Sequence, residues 1–198
     1  MNALSELVIA SHNKGKLREI AELVAPLTIT VHSAADLGLP EPDETGDTFE
    51  ANAALKSESA MRLSHKAALA DDSGLAIPAL GGAPGIYSAR WAGEHKDFAH
   101  AMQRIHDELT NAGHNPQGIA AYFVCVLALS VPSQETVFFR GESHGTLTFP
   151  PRGAHGFGYD PIFIPTNHTL TFAEMDAAAK HQISHRAQAF TKLLTHLT

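Results

Sequence analysis

The chain is 198 residues long, with 14 Lys and Arg against 21 Asp and Glu for a formal net charge of −7. Hydrophobic residues at 44% and charged residues at 18% make an ordinary globular mix, which excludes wholesale disorder. The length suits one domain spanning residues 1–198. An acidic balance disfavours a broad nucleic-acid surface, because nonspecific duplex affinity comes from Lys and Arg neutralising phosphates. An anionic small molecule remains a fitting ligand if local cations or a metal ion offset the charge. The single cysteine, Cys125, forms no intrachain disulfide and lies in the apolar run from Tyr122 to Leu127, where it reads as a small buried hydrophobe. The longest apolar run, Ala120 to Leu129, is shorter than the ~18 residues a membrane span needs. Leu7 to Ala10, after Glu6, lacks the core and basic flank of a signal peptide. No membrane partner and a cytoplasmic location are therefore expected. The thirteen histidines are scattered, with neither HExxH nor a zinc-type Cys/His spacing.

In chain order, Leu7 to Ala10 reads as a buried strand, and Leu17, Ile20, Ala21 and Val24 follow at helical spacing until Pro26. Thr28 to Val31 is β-branched and extended, and Ser33 to Asp47 is a polar loop. Thr48 caps a second helix through Phe49, Ala53, Leu55 and Ala60. Ala67 to Ala70 is a short core strand running into Asp71-Asp72-Ser73-Gly74. Gly81 to Gly85 is turn-rich, and a helix covers about Phe98 to Leu109. Ala120 to Leu129 and Glu135 to Phe139 read as two strands joined by a hairpin at Val131 to Gln134. Pro150-Pro151 and Gly153 to Gly158 are loops. A last helix carries Ala187, Phe190, Leu193, Leu194 and Leu197 on one side. Alternating strands and helices define an α/β chain with a mixed sheet, the long hairpin forming a second lobe.

Five segments bear chemistry. Ser11-His12-Asn13-Lys14-Gly15-Lys16 places backbone N–H groups, an amide and two ammonium groups at a helix N-terminus, where phosphate is favoured. It has neither the GxxxxGK[ST] nor the GxGxxG spacing, and a plain capped helix with solvated lysines fits it equally. Asp71-Asp72 sets two carboxylates at the end of an apolar strand, where open α/β sheets bind ligands. Neighbouring side chains of an extended segment point to opposite sides, so one holds the loop while the other faces a ligand. Such oxygen ligands suit Mg²⁺ completed by water and substrate phosphates; the plainer reading is an Asp turn. The acidic loop 41–47 offers a further carboxylate or merely solubility. In Gly156-Phe157-Gly158-Tyr159-Asp160 a ring between glycines serves either as a stacking platform for a base or as a core residue in a turn. Lys180 and Ser184-His185-Arg186 bring donors to the last helix, with Ser184 also suited to capping it. Phosphate donors, a hard-metal carboxylate pair, a stacking ring and base-edge donors together describe a nucleoside triphosphate site.

These segments, joined by Glu44-Thr45-Gly46, Thr48-Phe49, Asn52-Ala53, the run from Gly81 to Arg90 and the continuation through Phe163, resemble the motifs of the inosine triphosphate pyrophosphatase family, the dITP/XTP pyrophosphatases. The motifs occur in family order over nearly the whole chain. The resemblance implies an elongated, two-lobed α/β fold around a long twisted mixed sheet, with a central substrate cleft, in a homodimer. It implies Mg²⁺-dependent hydrolysis of ITP, dITP and XTP to the monophosphate and pyrophosphate, which keeps these nucleotides out of DNA and RNA. Residue by residue, it makes Asp72 the metal-binding and water-activating group, with Glu44 and Asp71 as further metal-associated carboxylates. Ser11, His12, Asn13, Lys14, Gly15 and Lys16, together with Lys56, would hold the triphosphate. Ser73, Phe157, Gly158, Tyr159, Asp160, Lys180, His185 and Arg186 would line the nucleoside pocket. Two departures stand out: His12 replaces a small residue, and Glu50-Ala51-Asn52 lacks the acidic residue usual directly before the Asn. Neither removes an assigned ligand.

The implied chemistry is physically coherent. An acidic protein needs a metal ion and clustered lysines to take a polyanion, and water attack at the α-phosphorus is helped mainly by positioning and charge neutralisation. Donors facing the 6-oxo group of hypoxanthine would face the amino group of adenine, a mismatch costing ~1–3 kcal/mol or more. Two other readings separate experimentally. A Maf-type pyrophosphatase would favour other modified nucleotides, and a nucleotide-sensing module would bind ITP without turnover.

Overall fold

The computed structural model describes residues 4–11, 17, 20, 21, 24–27 and 29–198. Leu7, Val8 and Ile9 are wholly buried because their strand, β1 (Glu6–Ile9), is flanked on both edges by parallel neighbours, β2 (Thr30–Ser33) and β3 (Ala68–Ala76). A continuous apolar run is what such an interior strand requires. The register sets Val8 opposite Ala68 and Ile9 opposite Leu69. β4 (Ala120–Ser130), β5 (Val137–Leu147) and β6 (Phe163–Pro165) extend the sheet to the order β2-β1-β3-β4-β5-β6. β6 runs antiparallel to β5, so the six-stranded sheet is mixed.

The helices begin where side-chain oxygens take up their orphan N–H groups. Thr48 Oγ1 accepts from Ala51 N–H at 3.0 Å and opens α1 (Phe49–Ser64), which ends at His65 in the left-handed conformation. After the single turn α2 (Ser88–Trp91), Asp97 accepts from His100 N–H and opens α3 (Phe98–Asn111). Asp176 does the same for α4 (Ala177–Ile183) through Ala179 N–H. Ser184 Oγ, accepting from Ala187 N–H, opens α5 (His185–Leu197). Leu17, Ile20, Ala21 and Val24 are helical, as their spacing predicts, with Ile20 and Val24 buried.

The chain forms two units. The first comprises residues 1–72, 125–140 and 189–198, and its main core joins Leu7, Ile9, Leu69, Cys125, Leu127, Phe190 and Leu193. Cys125 is thus the buried hydrophobe its neighbours imply. The second comprises residues 73–124 and 141–188, around Leu75, Ile105, Leu109, Phe123, Phe163 and Phe172. Several boundaries differ from the sequence reading. β3 does not stop at Ala70: Asp71 to Gly74 lie inside it. The strand after the hairpin is Val137–Leu147 rather than 135–139. β6 and α4 were not anticipated.

Candidate active site

In the first unit the chemistry gathers on one face of α1. Its buried residues are Phe49, Asn52, Ala53, Lys56, Ser57 and Ala60, so polar groups share the inward face with apolar ones. Ser57 Oγ meets Ser130 Oγ at 2.8 Å, Ser130 meets Thr136 Oγ1 at 3.0 Å, and Thr136 donates to Glu58. This chain ties the helix to the end of β4. Glu50 pairs with Arg140 at 2.8 Å, which gives the displaced acidic residue of the sequence a structural partner.

Lys56 Nζ donates to Glu44 Oε1 at 2.6 Å and to Asp72 Oδ1 at 3.5 Å. Asp71 and Asp72 are both buried within β3. Burial acts most strongly on Lys56, against its charge, but Asp72, Asp71 and Glu44 together outweigh it and hold the ammonium above the ordinary lysine value. Three carboxylates therefore act on the ammonium of Lys56. Among the described residues no three Asp, Glu, His or Cys side chains form a cage for a metal ion. That donor set nonetheless fits Mg²⁺, a hard ion usually bound by one or two carboxylates and completed by water and phosphate oxygens. Asn52, quoted in the sequence only as part of a motif, is fully buried one turn from Lys56, and its Oδ1 accepts from Gly46 N–H at 2.8 Å. A polar residue four positions before the lysine, on a face that also carries Phe49, Ala53 and Ala60, was the signal available for it.

The second unit assembles an aromatic and cationic set. Phe157 is 60% exposed, so the ring stands out as a platform instead of folding into the core. Lys180 Nζ lies 5.3 Å and the Arg186 guanidinium 5.6 Å from its centroid, within cation–π range. Asp160 is the anchor: almost fully buried, it accepts from Phe157 N–H at 2.8 Å and from Lys180 Nζ at 2.6 Å through the same oxygen. A Cβ on Gly156, whose φ is +73°, would fall 2.1 Å from that oxygen, so only glycine fits there. His185 is buried and stacks on Phe123 at 4.9 Å and 12°. Tyr159 belongs to the core: its ring packs edge-on against Phe98 and its hydroxyl donates to Ser88 O at 2.8 Å, with burial pushing the phenol pKa up.

Of the other sequence candidates, Ser11 is buried at the end of β1 and Ser73 follows Asp72 in β3. His12, Asn13, Lys14, Gly15 and Lys16 lie outside the described residues. Gly158 adopts φ +68°, leaving room beside Phe98.

Fold and side chains together define an open-sheet α/β protein with an acidic, lysine-centred set in one unit and an exposed ring between cations in the other. Residues 7–196 match the Ham1 family. A dITP/XTP pyrophosphatase of Rhodospirillum centenum is 59% identical over 188 residues, covering 95% of this chain and 92% of the relative. That of Gluconobacter oxydans is 53% identical, covering 96% and 89%. Among solved structures, a HAM1 protein from Coxiella burnetii superposes with a TM-score of 0.91 at 40% identity over 98% of both chains. The chain belongs to the Ham1 family, which bears out the resemblance carried by its motifs.

Proposed function

We propose that this chain hydrolyses the non-canonical purine nucleotides ITP, dITP and XTP to the monophosphate and pyrophosphate, cleansing the nucleotide pool. The observation that carries this reading is the nearly full-length likeness to proteins named dITP/XTP pyrophosphatase, in a chain that also holds Lys56 between Glu44 and Asp72. The first unit takes the phosphates. Ser11, His12, Asn13, Lys14, Gly15 and Lys16 hold the triphosphate together with Lys56, whose charge is maintained by the surrounding acids. Glu44, Asp71 and Asp72 would hold Mg²⁺, which when bound would supply further neutralisation of phosphate charge. Asp72 orients the attacking water and takes its proton, and attack at the α-phosphorus releases pyrophosphate without a covalent intermediate. Positioning and charge compensation do most of the catalysis.

The second unit takes the base. Phe157 stacks on it, while Lys180, His185 and Arg186 offer donors to the 6-oxo group. Adenine presents a donor there, so its entry leaves donors facing donors at ~1–3 kcal/mol or more. Ser73, Gly158, Tyr159 and Asp160 shape and brace this pocket. Residues 1–198 act as one domain on free nucleotides, not on nucleic acid, in the cytoplasm and as a homodimer. Among the described residues no helix is long and apolar enough to cross a membrane.

The test is incubation of the purified protein with ITP, XTP, ATP and GTP, with and without Mg²⁺, separating pyrophosphate from orthophosphate. Pyrophosphate from ITP and XTP only in the presence of Mg²⁺ supports the reading. Orthophosphate as the sole product, or equal turnover of ATP, refutes it. Sedimentation at micromolar concentration tests the dimer.

A further inference from the structure

Asn52 and Lys56 stand four residues apart on the buried face of α1, and Asn52 is 0% exposed. Its Oδ1 accepts from Gly46 N–H, which fixes how the side-chain amide lies. The other end, Nδ2, is buried with no hydrogen-bond partner among the described residues. A buried donor without an acceptor is destabilising, so helix packing does not account for this side chain; an apolar residue would pack there without that penalty. What Asn52 does accomplish is to hold the backbone at Gly46.

The hold is tight. A Cβ on Gly46 would lie 2.7 Å from both Ala51 Cβ and Asn52 Oδ1, so loop and helix touch where only glycine fits. From Gly46 back to Glu44 two residues of chain span at most ~7 Å, and the four residues of α1 from Asn52 to Lys56 advance ~6 Å. Loop and helix keep step, and Glu44 Oε1 arrives 2.6 Å from Lys56 Nζ. Glu44 itself is on a loop, with no helix or strand of its own to aim it.

We propose that Asn52 is a positioning residue: by clamping Gly46 it sets the carboxylate of Glu44 against Lys56 beside Asp72. The inference rests on the role proposed above for Glu44, through which Asn52 acts.

Steady-state kinetics on ITP with Mg²⁺ would be measured for N52A, G46A, E44Q and the double variant N52A/E44Q. Melting temperature and hydrogen exchange across residues 44–48 would be read on the same preparations. N52A is expected to lower kcat 10- to 100-fold with KM changed less than threefold, and to speed exchange at Gly46 at least tenfold. Added to E44Q, it should lower kcat by less than a further threefold, because both changes act along one route. G46A pushes the same contact apart from its other side and should reproduce the kinetic loss, including in the event that N52A does not fold. The clamp is overturned by a fully multiplicative loss in N52A/E44Q, or by unchanged kcat in an N52A protein whose Gly46 amide exchanges freely. Failure of the underlying reading looks different: E44Q then turns over ITP at the wild-type rate, and the positioning role falls with it.

Discussion

Replacing Lys56 by Met keeps the length and apolar stem of the side chain and removes the ammonium shared by Glu44 and Asp72. The Lys56 and Asp72 side chains are 8% and 10% exposed, so water screens that pair little. Glu44, at 32%, is partly screened and contributes less. Removing one member of a buried pair destabilises by ~3–5 kcal/mol, because the partner's charge stays buried. The partial exposure of Glu44 places K56M at the lower end, about 3 kcal/mol. At ~2–4 °C per kcal/mol for a chain of this size, the melting temperature should fall by ~6–12 °C.

The pH dependence has a definite sign. Lys56 has its pKa raised above the ordinary lysine value of 10.5, burial opposing and Asp72, Asp71 and Glu44 prevailing. A group raised on folding contributes its full stabilisation below its unfolded pKa and loses it as pH climbs through the folded value. The gap between wild type and K56M should therefore hold steady across neutral and mildly alkaline pH and narrow only above 10.5. Urea unfolding followed by circular dichroism at pH 7, 9 and 11 measures it. A K56M protein as stable as wild type at pH 7, or a gap that widens between pH 9 and 11, would refute the electrostatic reasoning.

Asp72→Asn preserves shape but removes the base proposed above, and kcat on ITP should drop ~10²–10⁴-fold with the circular dichroism spectrum unchanged. Phe157→Ala, at an exposed ring, should alter stability by no more than ~0.5 kcal/mol. Base–aromatic stacking is worth ~1–3 kcal/mol, so KM for ITP should rise ~5–150-fold in F157A, while F157W stays near wild type. Tyr159→Phe removes the hydrogen bond to Ser88 O and should lower stability by ~1 kcal/mol in thermal unfolding.

Periodicity carried the parts of the fold where burial and polarity agree. β1 is apolar from Leu7 to Ile9 because both its edges are covered, and α3 and α5 show their apolar stripes and their caps at Asp97 and Ser184. Local propensity ends β3 early because Asp and Gly are depleted in strands, yet Asp71 and Asp72 are buried there and Leu75 beyond them belongs to the second unit's core. α1 hid Asn52 for the same reason: polar groups lie on its inward face. β6 is three residues ending in Pro165, too short for any period to register. α4 did carry a legible start, Asp176 before three alanines. For the candidate site, motif order singles out the segments but not how they are braced. That Asp160 anchors both Phe157 and Lys180, or that Tyr159 faces Ser88, depends on contacts across 20 and 71 residues, which no local pattern encodes.

The two sets share a construction that explains why each keeps a buried ion pair. Such pairs add little net stability, since desolvation offsets most of the attraction. Lysine, however, is a point charge on a flexible four-carbon stem, and a binding site needs that charge in one place. Lys56 is directed by Asp72 and Glu44, and Lys180 by Asp160, whose same oxygen also holds the backbone at Phe157. On the function proposed above, cation and ring in the second unit are thereby fixed relative to one another before a base arrives, and the ordering entropy is met on folding instead of on binding. Loss of Asp160 should for that reason weaken discrimination between bases more than it weakens the stacking itself. A D160N protein that binds ITP less tightly but still prefers it to ATP by the wild-type ratio would show that Lys180 needs no such fixing.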